Sequence, residues 1–395
     1  MLAIKNVTIH TMTEDEIIEN GVILIDNGKI CNLGCNVSIP KNSEIIDGNN
    51  GFLMPGIIDA HCHIGMWEDG LGFEGNDGNE ITDPVTPHLR AIDAINPVDR
   101  CFEEALDAGI TTVATGPGSA NVIGGTFATM KTHGKTIDDM VINDCTAMKS
   151  AFGENPKRFY SSKKATPSTR MATAAILREN LIKAKNYVEK QEAFKNGIDK
   201  APDFDMKLEA LAKVIRKEIP LKSHAHRADD ILTAIRIAKE FDLDLSLEHC
   251  TEGHLITESL KDEHIKSIII GPSLSDRSKV ELKNRTFKTP MILNKAGIKV
   301  SIMTDHPVIP LQYISLCAAL AAREGMDEEE ALRSITINPA RAINADHRVG
   351  SIEIGKDADI IIYSGHPFDL RNTVKFVMID GEIVKNQLWI KHYIS

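Results

Sequence analysis

The chain has 395 residues, 42% of them apolar and 26% charged, with a formal net charge of −11. This composition excludes global disorder and predicts two or three domains, and the negative sign argues against nucleic acid or an anionic membrane as the main partner. Seven scattered cysteines fit the reduced thiols of a cytoplasmic protein better than a disulfide framework.

No basic segment followed by an apolar core opens the chain, so no secretory signal is expected. Residues 3–10, 21–26 and 29–33 are β-rich and separated by Asn20-Gly21 and Asn27-Gly28, which predicts short strands. Cys31 and Cys35 lie four apart, but no second pair completes a zinc clip. From 55 to about 345, short apolar runs alternate with helical periodicity. Strands are predicted at 57–60, 111–114, 125–131, 144–152, 221–223, 245–248, 268–270 and 300–303, with a helix at 229–241. The uncharged run 108–130 carries five glycines and a proline, so it predicts strand and loop rather than a membrane span.

This alternation predicts an α/β chain of parallel βα units closed into a TIM (β/α)8 barrel. An open doubly wound sheet would carry a Gly-x-Gly-x-x-Gly turn after its first strand, and none follows here. Residues 155–219 form a helical elaboration, with charged helices at 168–192 and 205–217. They are expected to be an outer barrel layer in preference to a substrate lid. Strands follow at 359–363, 374–379 and 382–384, with a hairpin at Asp380-Gly381. Residues 1–54 and 346–395 are therefore expected to build one composite small β domain, a sandwich, beside the barrel at 55–345.

The chemistry is concentrated at strand ends. His61 and His63 close the run Met54-Pro-Gly-Ile-Ile-Asp-Ala60 and, two apart in a strand, share a face. His224, His249 and Asp305 close three later strands, and strand C-termini are where barrel active sites converge. Imidazole and carboxylate together suit zinc and its neighbours. His226 faces the same side as His224, which suits a substrate contact. Arg158, Tyr160 and Arg170 follow the middle strand and are candidates for holding a carboxylate. Cys62 and Cys250 turn away and are expected to pack, and His306 is expected to be structural.

At these residues the chain resembles the amidohydrolase superfamily. Met54-Pro-Gly-Ile-Ile-Asp-Ala-His-Cys-His63 is similar to its opening strand, Ile335-Thr-Ile-Asn338-Pro339-Ala340 to its last barrel helix, and Gly350-Ser-Ile-Glu-Ile-Gly-Lys-Asp-Ala-Asp359 to its return into the small β domain. Ser223-His-Ala-His-Arg-Ala-Asp-Asp230 and Thr304-Asp-His-Pro307 resemble the imidazolonepropionase and prolidase-like branch.

The resemblance implies a distorted TIM barrel and one or two divalent ions, zinc before manganese or iron. It implies hydrolysis of a C–N bond in a small polar substrate, with His61, His63, His224 and His249 as ligands. Asp305 would be both ligand and general base, with His249 beside it in catalysis. A bridging anion between two ions would be a carboxylated Lys149, or alternatively Glu154. An aminohydrolase acting on a heterocycle is the alternative, but such relatives carry a glutamate shortly after the middle-strand histidine, and Ala225-His226-Arg227-Ala228 has none. A non-catalytic scaffold would have lost the histidines. No nucleic-acid or membrane partner is expected, and a homo-oligomer is left open.

Overall fold

Two sheets hold all the strands of the computed structural model, which describes residues 1–13, 17–70 and 72–388. Residues 14–16 and 389–395 of the two expected β segments, and Leu71 of the barrel segment, lie outside the described residues. The strands are β1 (Leu2–His10), β2 (Ile17–Asp26), β3 (Lys29–Gly34), β4 (Glu44–Pro55), β5 (Ile57–Cys62), β6 (Ile110–Thr115), β7 (Ile123–Lys131) and β8 (Val141–Ala151). They continue with β9 (Leu221–Ala225), β10 (Leu245–His249), β11 (Ile265–Ile270), β12 (Ser301–Ile302), β13 (Ile360–Tyr363), β14 (Val374–Ile379) and β15 (Glu382–Asn386).

Strands β5 to β12 pair in chain order into an eight-stranded, nearly closed barrel sheet. The seam is drawn together just beyond its two edge strands. His63 N–H donates to His306 O at 2.9 Å, and the Thr304 N–H and hydroxyl donate to Asp59 Oδ2 at 2.9 and 2.7 Å.

One strand departs from the expected parallel units. β7 runs antiparallel to both β6 and β8, with Thr112 opposite Lys131 and Phe127 opposite Ala147. Only seven residues join β6 to β7, and a parallel crossover needs about a dozen. The barrel is distorted at this point for that reason.

The second sheet takes both chain ends, in the order β15-β14-β13-β4-β1-β2-β3. Alternation along β13 divides its side chains between two cores: Ile360 and Ile362 join Ile4, Ile23, Leu53 and Phe376, while Ile361 and Tyr363 face the barrel.

The elaboration consists chiefly of the helices Arg170–Lys195 and Met206–Ile215. Thr169 caps the first by accepting from Ala172 N–H at 3.1 Å, and Asp205 caps the second. Leu177, Leu181, Leu211 and Val214 are buried in the barrel core, so this pair covers the barrel wall.

Candidate metal centre

The strand ends bring His61, His63, His224, His249 and Asp305 together. β5 points His61 and His63 inward, while Cys62 turns away to lie 3.6 Å from Ala114 O. His249, Cys250 and Asp305 hold left-handed backbone at φ 69°, 46° and 54°, which for non-glycine residues costs about 1–3 kcal/mol each and persists where surrounding structure imposes it. At His249 this conformation ends the strand alternation. Glu248 faces His61, while His249 lies beside His224, His226, His61 and Asp305.

Three imidazoles are hydrogen-bonded through Nδ1, and a fourth, His61, makes a close ion-pair contact there. His63 Nδ1 is 2.6 Å from Gly116 O, His249 Nδ1 is 2.8 Å from Gly271 O, and His226 Nδ1 is 2.7 Å from Thr251 Oγ1. His61 Nδ1 faces Glu248 Oε2 at 2.7 Å, both groups fully buried. Fixing one nitrogen leaves Nε2 for the centre, the usual device for aiming a histidine at a metal. His61 Nε2 and His63 Nε2 then meet Asp305 Oδ1 at 3.4 and 3.2 Å. The donor atoms of His61, His249 and Asp305 lie within 4.8 Å of one another, and so do those of His224, His226 and His249.

The electrostatics favour a cation. Burial holds the imidazoles in their neutral, ligating form: His61 falls to about 4, His226 to about 3, and His224 and His249 well below the usual range. Burial would raise Asp305, but the imidazoles of His249, His61 and His63 outweigh it and keep the carboxyl well below its usual range. Both nitrogens of His224 are buried without a hydrogen-bond partner, an arrangement that costs free energy unless something ligates them. The donor set therefore fits one or two divalent ions.

Lys149 is wholly buried on β8 and no carboxylate forms an ion pair with it among the described residues. Its Nζ lies 3.3 Å from His61 Nε2 and 5.5 Å from the Phe127 ring centre. Burial lowers it to about 8. Its register partner on β9, Lys222, is differently placed: Nζ pairs with Glu248 Oε2 at 3.0 Å and donates to Ala60 O at 3.1 Å. Burial would raise the Glu248 carboxyl, yet Lys222 and His61 hold it at about 2.

A cleft of about 640 Å³ opens onto this centre, lined by His63, Trp67, Arg158, His226, Lys279 and Asp305 among others. Of the residues expected to hold a carboxylate, only Arg158 faces it. Tyr160 is a correction, being buried and donating to Asn121 Oδ1 at 2.6 Å to pin the helix Glu154–Ser162. Arg170 is another: it pairs with Asp230 at 2.9 Å beside a separate, smaller cavity. Glu154 sits at the first turn of that helix, where its carboxylate receives Glu281 N–H at 3.4 Å, and it belongs to neither donor group. His306 is buried and accepts from Leu311 N–H through Nδ1.

Sequence reasoning missed Glu248, Lys222 and Glu281. The first two carried a signal, since a charged residue inside an apolar strand needs a partner. Glu281 lies in a loop and carried none.

A family model described as the amidohydrolase family matches residues 52–384. A crystal structure of an amidohydrolase from Thermotoga maritima MSB8 is 44% identical with a TM-score of 0.94, covering 98% of this chain and 100% of that one. Amidohydrolase tasK of Hapsidospora irregularis is 28% identical over 91% of this chain, which spans only 39% of that relative's length. Imidazolonepropionase of Idiomarina loihiensis is 25% identical, with 92% of this chain and 91% of the relative covered. The chain belongs to the amidohydrolase family, and is a hydrolase of C–N bonds.

Proposed function

We propose that the protein hydrolyses an amide, cyclic amide or peptide-like bond of a small polar molecule at a zinc-type centre, with Asp305 as general base. The observation that carries this is the convergence of His61 Nε2 and His63 Nε2 on Asp305 Oδ1, with their Nδ1 atoms tied back. His61, His63 and Asp305 would hold one ion, and His224 and His249 a second, with a carboxylated Lys149 between them. The lowered Lys149 pKa supports that bridge, because only the free amine adds carbon dioxide. A divalent ion bound here would supply Lewis acidity and a water whose pKa is brought to ~7.

The chain's own residues do the rest. Asp305 takes the proton of the attacking water and, because it reaches both imidazoles and the cleft, returns it to the leaving nitrogen. His249 orients beside it. Arg158 and His226 line the cleft where the polar end of a substrate would lie, and a cleft of this size suits a ligand of small-molecule dimensions. We further propose that residues 1–54 and 346–395 act as one domain supporting the barrel, and that the protein works in the cytoplasm. No helix among the described residues is long and apolar enough to cross a membrane.

The test is a screen of metal-loaded protein against dipeptides, N-acyl amino acids, lactams and hydantoins, with ammonia followed in parallel. Turnover of any of these that stops on chelation supports the reading. Less than a tenth of an equivalent of metal, with no gain on adding it, overturns it.

A further inference from the structure

The hydrolytic reading leaves one buried carboxylate unused. Glu281 lies in the short helical turn Val280–Leu282 and is 1% exposed. Its Oε2 accepts Glu154 N–H at 2.9 Å. Its Oε1 is buried with no hydrogen-bond partner, 3.9 Å from His224 Nε2 and 3.8 Å from His226 Nε2. Lys279 Nζ is also 3.8 Å from Oε1, but its hydrogen bond goes to Asn155 Oδ1 at 2.7 Å.

These separations are too long for hydrogen bonds. They are close to the spacing of two donors on one ion: ligand bonds of about 2.0–2.2 Å place tetrahedral neighbours roughly 3.4 Å apart. A contraction of a few tenths of an ångström would bring Glu281, His224 and His226 onto a single cation. The donor atom of His249 already lies within 4.8 Å of those of both histidines. Three imidazoles and a carboxylate form a donor set that zinc and its neighbours accept.

We propose that Glu281 is the carboxylate ligand of the second divalent cation, and that His226 joins His224 and His249 in holding it. This rests on the reading of the site as a metal centre and adds two ligands to it. Charge supports the assignment. With Asp305, a carboxylated Lys149 and one hydroxide, two divalent ions keep a surplus positive charge inside a buried site, and Glu281 removes it. Lys149 has its contact at His61 Nε2, on the side of the first ion, so the carboxylate next to His224 and His226 is a separate provision. Glu154, which shares its loop contact with Glu281, then acts by positioning: its N–H fixes Oε2 so that Oε1 points at the histidines.

The test is cobalt(II) titration of chelator-treated full-length protein, read by elemental analysis after gel filtration and by visible absorption, neither of which needs a substrate. Wild type should take up two equivalents. Glu281→Gln and His226→Asn should each keep one and weaken the other at least about tenfold, while His61→Asn weakens the complementary one. Thermal unfolding checks that Glu281→Gln folds, and His226→Asn decides the matter if it does not. Two equivalents at wild-type affinity in Glu281→Gln would overturn the proposal. A wild type that binds a single equivalent, lost in His61→Asn and untouched by Glu281→Gln, would overturn the second ion and leave the hydrolase standing. A wild type that binds none would overturn both.

Discussion

At the scale of single residues, the site separates groups that meet the reaction from groups that aim them. Asp305→Asn should keep the fold and lower kcat by about 10² to 10⁴, the usual range for a general base. An unchanged kcat, measured on metal-replete protein, would move the proton transfer to another group. Glu248 touches no part of the cleft, so it is a positioning residue acting through His61 Nδ1. Glu248→Gln should weaken metal binding about 10- to 100-fold and leave kcat of the saturated enzyme much less affected. Loss of kcat alone, with metal affinity intact, would contradict that role. His61, His63, His224, His249 and Asp305 were legible because strand ends in a barrel converge, whatever the loops do. Lys222 was legible in principle, two residues before His224 on the same face. Glu281 was not: its place depends on how the loop after β11 folds back over β9, and no local pattern encodes that.

At the scale of elements, hydrophobic period located most strands and the main helices but could not give strand direction. β7 has the composition of a buried strand in either sense, and only the shortness of the 116–122 connection argues for antiparallel pairing. The stretch 154–219 holds the helices Glu154–Ser162, Arg170–Lys195 and Met206–Ile215. The role of its two longer helices as wall rather than lid follows from Leu177, Leu181 and Leu211 facing the barrel core; neither helix lines the cleft, whereas Asn155, Arg158, Phe159 and Ser162 of the preceding helix do. Leu177→Ala should therefore cost about 2–5 kcal/mol through the cavity it leaves, read as a lower urea midpoint. Metal content and turnover per folded molecule should stay at wild-type values. A rise in KM without loss of stability would restore the lid.

At the scale of the whole molecule, the two sheets are joined at the far end of β7 by an ion cluster in which Lys131, Asp357 and Asp359 are buried. Lys131 Nζ reaches Asp359 at 2.7 Å and Asp357 and Asp380 at 3.2 Å, and Arg348 adds a second cation 2.8 Å from Asp357. The lysine belongs to the barrel and the carboxylates to the segment that enters the chain-end sheet, so this contact tests the composite domain directly. Deleting residues 346–395 would remove all three aspartates together with β13 to β15. That would strand Lys131 and uncover the apolar faces of β4, and the truncated chain should be insoluble. A soluble, active truncation would contradict the domain proposal. Lys131→Met is the finer probe, because it leaves the carboxylates facing one another. Breaking a buried pair this way costs about 3–5 kcal/mol. The pH dependence has a definite sign. Burial would raise Asp357, but Lys29, Lys131 and Arg348 hold it at about 2, so its contribution is present above the unfolded value and is lost as pH falls towards 2. Burial raises Asp359, which accordingly takes up its proton first on acidification. The penalty of Lys131→Met should therefore be largest near neutral pH and shrink at an acidic pH, as protonation of Asp359 relieves the repulsion. Urea unfolding of both proteins at the two pH values measures it. A penalty that grows on acidification would mean that the cluster does not depend on Lys131 for its balance.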